Sequence, residues 1–188
     1  MSLPHALLGL ISYKPATGYD LKAAFASSIG MFWHASLPQI YRTLGQMEKT
    51  GLLSFRIEQQ DGKPNRKIYN LTDQGKKELN DWLSKPLEFP QERKNDMLMK
   101  IFFGNKISQK NLIEHFKKWR SSAESLQEKL EKEAKPVAAH YSDLTGVKDD
   151  MYFWLLTADY GRRQNKAIVE WCDSALKFLE KGKKVKNK

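Results

Sequence analysis

Phe32-Trp33-His34-Ala35-Ser36-Leu37-Pro38-Gln39-Ile40-Tyr41-Arg42-Thr43-Leu44-Gly45-Gln46-Met47-Glu48-Lys49-Thr50-Gly51-Leu52-Leu53 opens a run that continues to Leu83. Ser36-Leu37-Pro38-Gln39 has the layout of a capping box: a hydroxyl to cap, a proline tolerated in the first turn, and a glutamine to reach back. Ile40, Leu44 and Met47 then share one helical face, and Thr50-Gly51 stops the helix. Leu52 to Gln59 alternates enough for a strand, and Lys67 to Leu71 is its expected partner. Asp61-Gly62-Lys63-Pro64-Asn65 between them is turn chemistry. Thr72 caps a further helix ending at Asp81-Trp82-Leu83. A capped helix, an abrupt stop and a basic hairpin together predict a winged helix-turn-helix.

Upstream, Leu7, Leu8, Leu10 and Ile11 read as a first helix closed by Lys14-Pro15-Ala16. Thr17-Gly18-Tyr19-Asp20 is a second capping box, with Asp as the shorter reach-back residue. Its helix sets Leu21, Phe25 and Ile29 on one face and is expected to end at Gly30. Downstream, Lys85-Pro86-Leu87-Glu88-Phe89-Pro90 reads as a linker. Beyond it the pattern turns to long helices. Met97 to Phe103 is a short apolar helix, and Ser108 caps another carrying Leu112, Phe116, Trp119, Ala123, Leu126 and Leu130 in a heptad-like seam. Pro136 is expected to close that helix, and a last one runs from about Lys148 to Lys181. The expected fold is mainly α. A winged helix-turn-helix domain with a two-stranded β wing covers 1–86, a helical dimerisation domain 90–182, and a basic tail 183–188.

The net charge of +10 points to an anionic partner. Its distribution is more telling: residues 1–85 hold 11 Lys+Arg against 7 Asp+Glu, residues 86–180 hold 16 against 15, and the last eight add five lysines. One cysteine excludes an internal disulfide and suits a reducing, cytoplasmic setting. No apolar run approaches the roughly 20 residues that span a bilayer. Catalysis finds little support: the four histidines are scattered, and no metal-ligand spacing, phosphate loop or nucleophile elbow occurs. No cofactor or metal is expected, and the chain does not read as an enzyme.

The partner suggested is double-stranded DNA. A helix after a short turn suits the major groove, and removing its core positions leaves Ser36, Gln39, Arg42, Thr43 and Gln46 outward. Glutamine can pair with adenine, and arginine with guanine or phosphate. Tyr41 is divided between packing with its ring and reaching a phosphate with its hydroxyl. Lys63, Asn65, Arg66 and Lys67 surround the wing turn and would contact phosphates or the minor groove. In the C-terminal part, Trp119, Phe153, Trp154 and Tyr160, with Tyr152 and Trp171, could line a pocket for a small aromatic effector. Core or dimer contact is the commoner role for aromatics at helical spacing. A winged helix that binds protein instead of a specific DNA sequence is the alternative reading.

Several stretches resemble the PadR family of transcriptional regulators, in its larger form with a helical C-terminal domain. They are Gly18-Tyr19-Asp20-Leu21, the segment from Phe32-Trp33 to Gly51-Leu52, and Pro64-Asn65-Arg66-Lys67-Ile68-Tyr69-Asn70-Leu71-Thr72-Asp73-Gln74-Gly75. Asp81-Trp82-Leu83, Asn95-Asp96-Met97-Leu98-Met99-Lys100-Ile101-Phe102-Phe103 and Glu170-Trp171 extend the likeness more loosely. Asn95-Asp96 departs from the family, which more often has Arg or Lys followed by Asp and Glu. The resemblance implies a homodimer joined through its C-terminal helices. It also implies a repressor at a roughly palindromic operator, released when a small molecule binds.

Overall fold

The computed structural model describes residues 3–31, 33–60, 62, 65–87 and 95–186. Its contacts divide the chain into two compact units, Met1–Phe89 and Pro90–Lys188. The first begins with α1 (Leu3–Tyr13), β1 (Ala16–Thr17) and α2 (Gly18–Ser27), followed by a 3₁₀ turn (Ile29–Met31). Next come α3 (Leu37–Lys49), β2 (Leu53–Glu58), β3 (Arg66–Leu71) and α4 (Asp73–Ser84). Both capping boxes form, Thr17 with Asp20 and Ser36 with Gln39, each with the side chain and backbone bonds reciprocated.

One expectation needs correction here, and one short strand adds to the predicted wing. The helix opened by Thr17 ends at Ser27 rather than at Gly30. The Ser27 hydroxyl donates to the Ala23 carbonyl at 2.8 Å and that of Ser28 to Ala24 at 2.6 Å, so carbonyls of the last turn are satisfied before the glycine is reached. The sheet also has three strands, in the antiparallel order β1-β3-β2. Ala16 and Thr17 pair with Tyr69 and Ile68, adding a short strand behind the two-stranded wing. Pro15 follows the end of α1, and the Thr17 cap that joins β1 to α2 is extended (φ −79°, ψ 163°).

The core of this unit is Leu7, Leu8, Ile11, Ala16, Leu21, Phe25, Ala35, Ile40, Leu44, Met47, Leu53 and Tyr69. Thr72 joins sheet and helix, its hydroxyl donating to the Gly51 carbonyl at 2.7 Å while accepting from the Gly75 N–H at 3.0 Å. Gly75 is required by space: a Cβ there would sit 2.2 Å from the Leu52 carbonyl oxygen, which is rigid backbone. Gly75→Ala should therefore force α4 away from the β2 entrance and cost about 1–3 kcal/mol, seen as a lower urea midpoint at unchanged slope.

The second unit holds α5 (Asp96–Phe102), a 3₁₀ turn (Gly104–Lys106), α6 (Gln109–Thr145) and α7 (Asp150–Lys186). Asn95 caps α5 and Ser108 caps α6 through side-chain oxygens. The two long helices run antiparallel. Gln109 donates to the Leu179 carbonyl near one end, and Tyr141 meets the Trp154 ring near the other. Phe116, Ala123, Leu130, Ala138, Ala158 and Cys172 form the buried seam between them.

Pro136 does not close α6, which continues to Thr145 and is capped by the left-handed Gly146 (φ 73°). An interior proline costs about 3 kcal/mol by removing the bond to the carbonyl four residues back. That carbonyl belongs to Lys132, on the same exposed face as Pro136, so water can satisfy it. Burial of Leu130 before the proline, and of Ala138 and Ser142 after it, holds both halves on α7. The last helix begins at Asp150, slightly later than expected, and carries into the lysine-rich end as far as Lys186.

Candidate nucleic-acid interface

The helix α3 is positioned from beneath by Ile40, Leu44 and Met47, which are 0%, 0% and 2% exposed. Its entry is tied down by Lys22, whose ammonium on α2 donates to the Ala35 carbonyl at 2.8 Å. Nothing in the sequence pattern marks Lys22 for that role, because the bond depends on how α2 crosses the turn. With the apolar stripe buried, Gln39, Arg42, Thr43 and Gln46 fall at helical spacing on the opposite face. Arg42 carries no ion pair among the described residues.

Ser36 and Gln39 serve the helix itself. The Gln39 side-chain oxygen accepts from the Ser36 N–H at 2.8 Å and from its hydroxyl at 3.0 Å. A paired contact to adenine needs both the oxygen and the nitrogen of the amide, so Gln39 could make one only by weakening its cap. Its NH₂ group can still donate to a base while the oxygen holds the cap. Thr43 is also engaged, its hydroxyl donating to the Gln39 carbonyl at 2.8 Å. The Tyr41 ring lies on α2, where a Cβ at Gly18 would stand 2.4 Å from it. The ring is 47% exposed nonetheless, so it packs on one side and faces solvent on the other.

The wing hairpin pairs Leu53 with Leu71 at its base and Glu58 with Arg66 toward its tip. Asn65 and Arg66 are exposed there, and Arg66 has no ion pair among the described residues. Lys63, with Asp61 and Pro64 of the turn, lies outside the described residues, as do Phe32 and the 88–90 part of the linker. Lys67 is held differently from Arg66: its ammonium is 2.7 Å from the Glu48 carboxylate and 3.7 Å from the centre of the Phe55 ring. Beside it, burial pushes the Tyr69 hydroxyl above its ordinary pKa despite the opposing Lys67 charge, so Tyr69 stays neutral at physiological pH.

In the second unit the aromatic residues do not gather into one pocket of this chain. Trp119 packs edge-on against Trp171 at 5.4 Å, while Trp154 meets Tyr141 at 6.2 Å and Phe153 meets Tyr152 at 5.6 Å. Along α7, Trp154 and Trp171 are separated by roughly 25 Å at about 1.5 Å per residue. Trp119 thus belongs to a different part of the hairpin from Phe153 and Trp154, and Tyr160, 54% exposed, stands between. A concavity of about 350 Å³ is instead lined by Met99, Lys100, Phe103, Lys106, Ile107 and His115. The sequence reading missed it, because it arises where α5 and the following turn fold back beside α6. Cys172 is fully buried, and burial raises its thiol pKa, so it is a packing residue rather than a nucleophile. Among the described residues no cluster of His, Cys, Asp or Glu could hold a metal, and no helix is long and apolar enough to cross a membrane.

Comparison with known proteins matches residues 7–81 to the Transcriptional regulator PadR-like family and residues 93–180 to the Virulence activator alpha C-term family. The negative transcriptional regulator PadR of Bacillus subtilis is 32% identical over 186 residues, covering 95% of this chain and 98% of that protein. The crystal structure of Bacillus subtilis PadR in complex with operator DNA superposes with a TM-score of 0.79 at 27% identity, over 95% of this chain and 99% of that one. The same protein in complex with p-coumaric acid gives 0.73 at 27% identity, over 96% and 99%.

Proposed function

Because the chain belongs to the PadR-like family of transcriptional regulators, we propose that it is a dimeric, cytoplasmic repressor that binds operator DNA and is released by a small-molecule effector. The observation that carries the DNA-binding part is the pairing of a buried apolar stripe on α3 with an exposed polar one. That arrangement offers Arg42, Gln46 and the Gln39 amide to a major groove while Arg66 and Asn65 project from the wing. Thr43 shares this face, Ser36 and Tyr41 flank it, and all three would meet phosphates or bases; Lys63 would add a further cation from the wing turn. No catalytic chemistry is assigned to the chain.

The dimer reading rests on the second unit. Two helices can bury only a thin seam: Phe178 and Phe153 of α7 are 76% and 60% exposed, and Phe102 at the end of α5 is 82% exposed. Apolar surface of that kind on a soluble chain marks a protein contact, and a second copy would cover it. Two DNA-binding units fixed by one dimer would address half-sites a helical turn, or a multiple of one, apart. An effector would act by binding the DNA-incompetent dimer geometry better than the competent one. Bacillus subtilis PadR was solved both with operator DNA and with p-coumaric acid, which makes an acidic aromatic compound the first effector to try. The protein-interaction alternative draws no comparable support, since the relative matched over nearly the whole chain is a transcriptional regulator.

The test is binding of purified protein to the duplex upstream of its own gene against a scrambled duplex at two salt concentrations. Preference for the upstream duplex is expected. Equal, weak affinity for both at low salt, lost at high salt, would reduce the protein to a nonspecific basic surface.

A further inference from the structure

Arg42 and Arg66 carry no ion pair among the described residues, whereas Lys67 is already occupied on two sides. We propose that Lys67 is a positioning residue that braces the wing against the recognition helix, and that it supports DNA affinity through Asn65 and Arg66 rather than through a phosphate of its own. The inference rests on the DNA-binding reading above for its function, and on geometry alone for the brace.

Glu48 lies in the last turn of α3 and Lys67 near the start of β3, with their charged atoms 2.7 Å apart across 19 residues of chain. The pair therefore closes the loop from helix to wing. On the hairpin, Lys67 opposes Ile57, and Phe55 opposes Tyr69. The ammonium thus lies diagonally over the Phe55 ring, with Tyr69 5.9 Å away. Cation–ring attraction and the ion pair act on one group together. Such a brace has a purpose because the distal wing lacks apolar anchoring. Leu53, Ile68 and Tyr69 are buried, but Arg56, Ile57, Glu58, Arg66 and Lys67 are exposed. Among the described residues of the distal wing, none is buried, so no buried side chain fixes its angle to α3.

A direct phosphate contact would demand more. Lys67 would have to leave both partners, and Glu48, 28% exposed, would then face the duplex as an uncompensated anion. Keeping the pair costs neither and holds Arg66, its chain neighbour, in a constant direction.

The experiment compares wild type with Lys67→Met, Glu48→Gln, the double variant and Arg66→Ala. Amide exchange of β2 and β3 is followed in the free protein, and the salt dependence of affinity is followed on the upstream duplex. Lys67→Met and Glu48→Gln should each speed exchange of the distal wing amides and weaken binding by about three- to tenfold. The double variant should be no worse than either alone. The salt slope should hold for Lys67→Met and fall by about 0.9 per protomer for Arg66→Ala. The brace is overturned if wing exchange does not change, if Lys67→Met removes ~0.9 per protomer from the slope, or if Glu48→Gln tightens binding. Absence of wild-type preference for the upstream duplex would defeat the DNA reading instead, and the exchange measurement would still decide the brace.

Discussion

Arg42→Ala is expected to weaken binding to the preferred duplex by about 1–3 kcal/mol for each half-site, and by up to twice that when both subunits of a dimer carry it. In fold terms that is on the order of tenfold to more than a thousandfold in Kd. The reason is local. Arg42 stands on the exposed stripe of a helix whose other face is buried, and among the described residues it has no ion pair to break before it meets a partner. Thermal stability should barely move, since an exposed arginine on a helix surface adds little to the fold. The scrambled duplex supplies the control that assigns the contact. If Arg42 reads a base, affinity for scrambled DNA changes little. A phosphate contact would weaken both duplexes together and lower the salt slope by about 0.9 per arginine. Unchanged affinity for both duplexes would remove α3 from the interface.

Leu44→Ala should act through the fold. Leu44 is 0% exposed and lies between Ile40 and Met47, within a core that also holds Leu7, Leu8, Leu21 and Phe25. Truncating a leucine in such a site loses its transfer free energy and leaves a cavity, about 2–5 kcal/mol in all. A domain whose total stability is about 5–15 kcal/mol would then sit close to unfolding. Chemical denaturation should show a greatly lowered midpoint for the first unit, and DNA binding should fall with the folded fraction. A loss under about 1 kcal/mol would mean that the helix is not seated as described.

These two residues were legible from the chain because helical spacing separates them by face. The two capping boxes, the stop after α3 and the partnering of the two wing strands follow from the same kind of local chemistry, in which a few neighbouring residues decide the backbone. What escaped was tertiary. The pairing of Ala16 and Thr17 with β3 has no side-chain signature and exists only because the chain is already extended beside Tyr69. Pro136 reads as a stop in isolation, yet burial on both sides of it carries α6 onward. Gln39 shows the limit within one residue: its position favoured both a cap and a base contact, and the structure commits its oxygen to the cap. Gln39→Ala therefore removes the cap and any base contact together, and its effect on binding has to be compared with its effect on stability. Lys67 read as one more cation until Glu48 was brought to it. The aromatic residues of the second unit were grouped by kind, but the antiparallel packing of α6 on α7 decides which of them meet.

The most direct test of the central claim, that this chain reads operator DNA as a symmetric dimer, is chemical footprinting on the duplex upstream of its gene. The account predicts two protected half-sites related by inverted symmetry, with centres one helical turn or a multiple of it apart. Both should vanish together in Arg42→Ala and retreat together when an effector binds. A single protected patch, or uniform protection that follows protein concentration without sequence boundaries, would contradict it.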